Sequence, residues 1–138
     1  MKANHQEYNI NPNLIALGGF SGGGITSINV AYALKEEVAA VITTSGIYSG
    51  FELQLMTAEA PMSPLQMFIA QTDLPFILGG MVPFIKHLQA LDFDYNLSWV
   101  PAFGHFYPGG AVSFSNDGTK MSVEERMVQF LNSNLKDK

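Results

Sequence analysis

The sequence predicts an α/β fold in which a parallel β-sheet carries helices on both faces. Short apolar runs of strand length alternate with segments whose apolar residues recur at helical spacing. Apolar residues make up 47% of the chain and charged residues 14%, a balance typical of a folded core. With no internal repeat to divide the chain, we expect a single domain over residues 1–138.

The first half of the chain contains two predicted strands with a helix between them. The apolar run 14–20 follows a turn signal and predicts a buried strand. Apolar residues recur at helical spacing in 22–35, and the β-branched run 38–44 predicts a second strand. The less regular segment 47–64 is interpreted as a helix.

The second half continues the alternation and ends in an amphipathic helix. The runs 65–70 and 95–100 predict the third and fourth strands, and 84–91 predicts the helix between them. From Ser122 onward, apolar residues recur at helical spacing as far as residue 135. Because strand–helix–strand connections are right-handed, this order favours a parallel sheet.

Charge and composition exclude several classes of function. Seven basic and twelve acidic side chains give a net charge of −5, which argues against nucleic acid or an anionic membrane as partner. The chain has no cysteine, so thiolate chemistry and disulfides are excluded. The longest apolar stretch, 74–85, is too short to span a bilayer. Since residues 1–13 lack the apolar run of a signal peptide, we expect a cytoplasmic protein.

One motif carries a candidate nucleophile. The segment 19–23 reads Gly-Phe-Ser-Gly-Gly, which matches the G-x-S-x-G nucleophile elbow, and it lies between a predicted strand and a predicted helix. A serine on such a sharp turn would present its hydroxyl at the carboxyl edge of the sheet. Ser21 is therefore the predicted nucleophile, and the N–H of Gly22 is the predicted oxyanion donor.

The same glycines allow a second interpretation. A glycine-rich turn between strand and helix can do no chemistry, or it can cradle a phosphate. The dinucleotide pattern G-x-G-x-x-G is met only loosely by 19–24, with Ser21 in place of its second glycine, and no lysine follows. We therefore favour the nucleophile elbow.

A serine nucleophile needs a base, and the chain has three histidines. His5 lies in the polar N-terminal segment, and His87 lies in a helical stretch where a surface or packing role is expected. His105 lies in the loop after the fourth strand, where α/β sheets place functional side chains. His105 is therefore the predicted base.

The predicted triad acid is Asp73, which follows the third strand and shares the carboxyl edge with Ser21. Glu52 and Glu59 follow the second strand less directly, and 92–94 carries two aspartates at the wrong end of the fourth strand. Asp73 can also be interpreted as a simple turn residue. The order serine, aspartate, histidine agrees with the triad order of enzymes that use this elbow.

Four segments together resemble a known family. They are 10–24 (INPNLIALGGFSGGG), 63–73 (SPLQMFIAQTD), 100–110 (VPAFGHFYPGG) and 121–131 (MSVEERMVQFL). The chain resembles the α/β-hydrolase family, in its esterase and dienelactone-hydrolase-like branch. That resemblance implies Ser21 as nucleophile, Asp73 as acid, His105 as base and Gly22 as oxyanion donor. It also implies ester hydrolysis through an acyl-serine intermediate, with no metal or cofactor.

The chain departs from the pattern of this family in two ways. Family members often have His-Gly shortly before the acid, where this chain has Ala70-Gln71. Complete members also have several more strands before the elbow, and 1–13 corresponds to the helix that enters the nucleophile strand. We therefore expect a truncated domain that lacks the N-terminal strands and the HGG-type loop of the second oxyanion donor. A homodimer or a missing N-terminal half is expected to cover the exposed edge strand.

The expected substrate is a small-molecule ester. Phe20, Tyr48 and Phe106 are the predicted substrate-binding residues, and their apolar side chains suit a hydrophobic acyl group. Two alternatives stay open. One is a catalytically impaired α/β-hydrolase fragment that acts as a remnant or an interaction module, and the other is a serine peptidase or thioesterase of the same fold.

Overall fold

A computed structural model describes residues 2–48, 50, 54, 56, 57 and 63–136. In this part of the chain, six strands form one sheet in the order β1 to β6. The strands are β1 (Ala16–Phe20), β2 (Ala40–Thr44), β3 (Leu65–Ala70), β4 (Tyr95–Val100), β5 (Val112–Ser115) and β6 (Lys120–Ser122). The α-helices that lie wholly within the described residues are α1 (Gly22–Leu34), α2 (Pro75–Ala90) and α3 (Val123–Asn134).

The first four strands are parallel, and each pairs with its neighbour in sequence. Phe20 lies opposite Thr44, and Ala70 lies opposite Val100, so the strands end nearly in line. The loops that follow β1, β2, β3 and β4 therefore emerge side by side along one carboxyl edge. This edge is where open α/β sheets place their ligand sites.

Helices cover both faces of the sheet, as predicted. On one face, residues of α1 and α2 such as Tyr32 and Phe84 pack in one cluster with Met67 of β3. On the other face, Phe130 of α3 packs in a second cluster with Phe68 of β3. Neighbouring residues of β3 thus serve opposite cores, because successive strand side chains point to opposite faces. The predicted α/β class is confirmed.

The antiparallel hairpin of β5 and β6 was not predicted from the sequence. β5 pairs antiparallel with β4, and β6 pairs antiparallel with β5. Both strands are short, and Ser113 is their one buried residue, so no buried apolar run signals them. Two hydrogen bonds connect Arg126 of α3 to this hairpin. One Nη donates to the carbonyl of Thr119 at 2.7 Å, and Nε donates to Ser113 Oγ at 3.1 Å.

Two predicted helices differ from the structure. α2 begins at Pro75, well before the predicted start at residue 84, and continues through Pro83. Proline is well tolerated at a first helical position, whereas Pro83 inside the helix leaves one backbone hydrogen bond unmade. At the N-terminus, only the 3-10 turn Lys2–Asn4 replaces the expected entering helix. The helix predicted over 47–64 falls largely outside the described residues.

A capping box fixes the start of α3. The Ser122 hydroxyl accepts from the backbone N–H of Glu125 at 3.2 Å, and the Ser122 N–H donates to Glu125 Oε2 at 3.0 Å. The Ser122 hydroxyl also donates to Glu125 Oε2 at 2.7 Å, and this bond and the one from the Ser122 N–H hold the pKa of the Glu125 carboxyl below its ordinary value. The box is therefore intact at neutral pH, and it is lost as acid protonates the Glu125 carboxylate.

β1 lies at one margin of the sheet. Among the described residues, β2 is the neighbour that pairs with it. The expected pairing of its outer edge with a second copy, or with a preceding half of the domain, stays a prediction. None of the helices in the described part of the chain is long and apolar enough to cross a bilayer.

We expect Ser122→Ala to lower the free energy of unfolding by about 1 kcal/mol, because it removes the side-chain acceptor of the capping box. Thermal or urea unfolding measures this change. Ser133→Ala is the matched control, because that exposed hydroxyl only returns to the carbonyl of Gln129 within the same helix. Equal stability of the two variants would contradict a capping role for Ser122.

Candidate active site

Ser21 occupies the turn between β1 and α1 with a backbone that serine rarely adopts. Its φ is 52° and its ψ is −119°, which costs of order 1–3 kcal/mol. Backbone hydrogen bonds hold the turn: the Ser21 N–H donates to the carbonyl of Thr44 at 2.9 Å, and the Gly24 N–H donates to the carbonyl of Ser21 at 3.0 Å. The second strand and the first helical turn therefore fix the orientation of Ser21.

Close backbone contact explains one glycine of the predicted motif. A Cβ at Gly19 would lie 2.1 Å from the carbonyl oxygen of Gly23, so β1 and α1 could not approach as they do. Gly24 is also tight, because its Cβ would lie 3.0 Å from the Cα of Gly46. At Gly22 and Gly23 a Cβ would meet open space. Gly19 is therefore the position of the motif that requires glycine, and Gly23 supplies the backbone that approaches it.

The structure brings the three predicted triad residues together. His105 Nε2 lies 3.1 Å from Ser21 Oγ, and His105 Nδ1 lies 2.7 Å from Asp73 Oδ1. The side chain of Asp73 is fully buried, and that of His105 is 11% exposed. Because a carboxylate faces Nδ1, that nitrogen carries the proton and leaves Nε2 free to accept from the Ser21 hydroxyl.

Asp73 has further partners that hold its carboxylate. The Leu74 N–H donates to Oδ1 at 2.8 Å, and the Ser45 hydroxyl donates to Oδ2. Tyr107 lies next to this pair, with its hydroxyl oxygen 3.3 Å from Ser45 Oγ. Burial raises the pKa of Tyr107 to about 12, and the nearby Asp73 charge acts in the same direction, against the opposing hydrogen bond with Ser45.

Two exposed phenylalanines flank the histidine. The ring centroids of Phe20 and Phe106 lie 4.8 Å and 5.0 Å from that of His105, and 5.3 Å from each other. Phe20 is 40% exposed and Phe106 is 76% exposed. Together with Tyr107 and Pro108 they line an open depression of about 340 Å³. An apolar surface thus lies directly beside His105, and the substrate-binding role of these two residues stays a prediction.

Tyr48 was predicted to bind substrate, and its position in the structure corrects that prediction. It is only 5% exposed, its ring stacks on Phe84 at 4.5 Å, and its hydroxyl lies 2.9 Å from Thr43 Oγ1. Burial raises its pKa. Its side chain belongs to the core between the sheet and α2, because stacking on Phe84 turns it away from solvent.

The rival residues lie apart from Ser21 or outside the described part of the chain. His87 lies on α2 with Nε2 3.0 Å from the carbonyl oxygen of Met56, which agrees with a packing role. His5 lies in the N-terminal turns, and 92–94 precedes β4 at the opposite edge of the sheet. Glu52 and Glu59 are outside the described residues.

Gly22 is the first residue of α1 and directly follows Ser21. The first N–H groups of a helix have no acceptor within it and carry the positive end of its dipole, so they suit a developing oxyanion.

As for metals, no three acidic or histidine side chains come together in a metal-binding arrangement within the described ranges.

Ser45 and Tyr107 were missed as site residues. Ser45 follows β2 directly, as Ser21 follows β1, and Tyr107 lies two residues after His105. A serine before glycine after a strand is ordinary turn chemistry, so its type gave no signal. Sequence reasoning could have found Ser45 from its position at the carboxyl edge of the sheet, between Ser21 and Asp73.

The sequence model of the phospholipase/carboxylesterase family matches residues 3–71, which is half of the chain and includes Ser21. No curated protein matches the chain significantly by sequence.

Many solved structures share the fold. A truncated carbohydrate esterase from gut microbiota matches with a TM-score of 0.74 at 14% identity, over 99% of this chain and 65% of that one. Esterase PE8 matches at 0.68 and 21% identity, over 96% of this chain and 56% of that one. Dipeptidyl peptidase 4 of Porphyromonas gingivalis matches at 0.72 and 18% identity, over 96% of this chain and 21% of that one. The chain thus spans less than two thirds of the length of each of these proteins.

The sheet order, the turn at Ser21 between β1 and α1, and the family match over 3–71 lead to one assignment. The chain belongs to the phospholipase/carboxylesterase family and has the α/β-hydrolase fold.

Proposed function

We propose that this protein is a serine hydrolase that cleaves small carboxylic esters through an acyl-serine intermediate. One observation carries the proposal: an unbroken chain of hydrogen bonds runs from Ser21 Oγ through both ring nitrogens of His105 to Asp73. In this arrangement a hydroxyl loses its proton to an oriented base, whose positive charge a buried carboxylate then stabilises. The family match supports hydrolase chemistry, while the ester substrate is part of the proposal.

The proposed reaction begins at Ser21. Its Oγ forms a bond to the acyl carbon as its proton moves to His105 Nε2, and the Gly22 N–H stabilises the oxyanion. Collapse of this intermediate breaks the bond to the leaving alcohol, which takes the proton from Nε2. Water then attacks the acyl-serine, gives its proton to Nε2 and releases the acid, and that proton returns to Ser21 Oγ. Asp73 stays ionised and holds the Nδ1–H throughout.

The depression beside His105 supports the expected preference for an apolar group. Phe20 and Phe106 present their rings next to the proposed nucleophile. Covering these rings with an apolar group contributes a favourable free energy of about 25 cal/mol for each Å² of apolar surface removed from water. We therefore place the hydrophobic part of the ester, its acyl or its aryl group, against these two rings.

A catalytically impaired fragment is the rival function. The open edge of β1 among the described residues favours it, because an edge strand is a surface for pairing with another chain. The two functions make opposite predictions for a reagent that reacts only with an activated serine. A peptidase or thioesterase of the same fold would also react, and a comparison of ester, thioester and peptide substrates separates these activities.

We expect a fluorophosphonate probe to label the purified protein stoichiometrically at Ser21, because His105 activates that hydroxyl. Mass spectrometry of the digested protein locates the adduct. Labelling is expected to disappear in Ser21→Ala and to fall sharply in His105→Ala. A well-folded sample that takes up no probe would favour the impaired fragment.

Hydrolysis of p-nitrophenyl acetate should fall at least about 10³-fold in Ser21→Ala and in His105→Ala, because either change removes the nucleophile or its base. His87→Ala is the matched control, since that imidazole contacts the carbonyl of Met56 rather than Ser21. It is expected to keep activity close to that of the parent. Activity that survives Ser21→Ala would remove Ser21 from the mechanism.

We expect Phe106→Ala to raise the KM for p-nitrophenyl butyrate by about 10-fold with a smaller change in kcat, because it removes an apolar surface beside the nucleophile. Phe76→Ala is the matched control, since that ring is 58% exposed on α2. If the two variants have the same KM, the ester does not bind against Phe106.

A further inference from the structure

The hydroxyl of Ser45 contacts Asp73, the predicted triad acid. Ser45 directly follows β2, is fully buried, and donates its hydroxyl proton to Asp73 Oδ2. Its backbone N–H donates to the carbonyl of Phe68 in β3 at 2.8 Å. The residue thus links the two strands that lie between the nucleophile strand and the histidine loop.

The two oxygens of Asp73 have different partners. Oδ1 accepts from His105 Nδ1 at 2.7 Å and from the Leu74 N–H at 2.8 Å, and Oδ2 accepts from Ser45. A carboxylate can rotate about its terminal bond, which has only broad preferences. A donor on Oδ2 opposes that rotation, so it keeps Oδ1 directed at His105. Without Ser45, Oδ2 would be a buried charged oxygen that has lost its donor, which is costly.

Tyr107 is the second neighbour of the Ser45 hydroxyl. The Tyr107 hydroxyl donates to the carbonyl of Phe68 at 3.2 Å, and its oxygen lies 3.3 Å from Ser45 Oγ. Burial keeps the Tyr107 phenol protonated over the usual pH range, because its pKa is raised to about 12. Because its own proton goes to Phe68, the Tyr107 oxygen can only accept from Ser45. The carboxylate of Asp73 is the nearer and the stronger acceptor for the single hydroxyl proton of Ser45.

The backbone of Ser45 also adopts an unusual conformation. Its φ is 45°, in the left-handed region that residues other than glycine rarely occupy. Such strain persists only where the surrounding structure enforces it. At Ser45 the conformation directs the N–H to Phe68 and the hydroxyl to Asp73, which are the two contacts that this end of the sheet needs.

We propose that Ser45 is a positioning residue of the catalytic centre, which acts through Asp73 to hold His105 in line with Ser21. This inference rests on the proposed function for its catalytic consequence, while the geometry of the four side chains stands without it. Ser45 transfers no proton in the reaction. It acts by restricting the carboxylate and by sharing its negative charge.

The hydrogen bond from Ser45 also changes how strongly the carboxylate of Asp73 stabilises a proton on His105, so its removal has a predictable effect on the titration of His105. A donor on Oδ2 withdraws negative charge from Asp73, so its removal should make the carboxylate a better partner for protonated His105. The other titratable groups near this cluster are Tyr107 and Tyr48, and burial raises the pKa of both phenols. Neither phenol ionises near neutral pH. In Ser45→Ala the titration midpoint of the His105 ring should therefore move to higher pH.

The experiment combines NMR titration of the histidine ring protons with steady-state kinetics, both on the full chain. In Ser45→Ala we expect the His105 midpoint to rise by roughly half a pH unit. For p-nitrophenyl acetate we expect kcat to fall roughly 10-fold, with KM changed less than about 3-fold. The acid limb of the kcat/KM profile should move in the same direction as the NMR midpoint.

Two further variants separate the hydroxyl from other effects. Ser45→Gly removes the same hydroxyl while relieving the positive φ, so it should behave like Ser45→Ala. Ser98→Ala is the matched control, because that serine is 1% exposed in β4 and its hydroxyl contacts Gln66 rather than Asp73. It should leave the midpoint and kcat unchanged. Circular dichroism and thermal unfolding establish that each variant is folded.

The possible results distinguish this inference from the proposed function. If Ser45→Ala changes neither the His105 midpoint nor kcat, the positioning role is overturned, even if the parent hydrolyses esters. If the midpoint falls together with kcat, the carboxylate has turned away from His105, and the loss of positioning outweighs the freed charge. If the alanine variant changes and the glycine variant does not, backbone strain is the cause, and the role of the hydroxyl is overturned. If the His105 midpoint rises in Ser45→Ala, but the parent protein neither hydrolyses esters nor takes up fluorophosphonate, the contact with Asp73 stands and the esterase proposal fails.

Discussion

The contact between the backbones of Gly19 and Gly23 is the constraint on which the candidate site depends. β1 and the first turn of α1 pass so closely there that a single methyl group on Gly19 would overlap a carbonyl oxygen 2.1 Å away. The approach forces the chain to reverse direction over Ser21, in a conformation that serine alone would avoid. The hydroxyl is thereby exposed beyond the strand end, at the start of a helix whose dipole favours negative charge. A wider turn would leave it within the sheet edge.

The other site residues depend on the sheet rather than on a turn. Because β1 to β4 are parallel and adjacent in chain order, each delivers one side chain to the same edge. Ser21, Ser45, Asp73 and His105 follow the four strands in turn, and the hydrogen bonds between them cross the sheet. Burial decreases from Asp73, whose side chain is fully enclosed, to Ser21, which is partly exposed. The carboxylate of Asp73 is thus in a medium of low dielectric, where its field on His105 is strong.

The sequence allowed much of this arrangement to be predicted, for identifiable reasons. The buried strands are continuous apolar runs, and their alternation with helical patterns admits few topologies. Ser21, Asp73 and His105 were predicted as a triad because each is a reactive residue directly beyond a predicted strand, and the structure places them within hydrogen-bonding distance. The hairpin of β5 and β6 was missed because its strands are short and lack a buried run. Tyr48 was assigned wrongly because an aromatic residue after a strand can turn into the core, and the stacking on Phe84 that decides this is a tertiary contact.

The row of four parallel strands also has a consequence for folding. Ser21 and His105 are 84 residues apart, whereas Asp73 and His105 are separated by only 32. Contacts of long sequence separation form late, because the loops that they close must first lose their entropy. The acid and base can meet once β3 and β4 have paired, but the base reaches Ser21 only when β1 and β2 have joined them. The contact between His105 and Ser21 is therefore a measure of the joined parallel strands. Under the proposed function, the return of reactivity at Ser21 after dilution from denaturant would time this step of assembly.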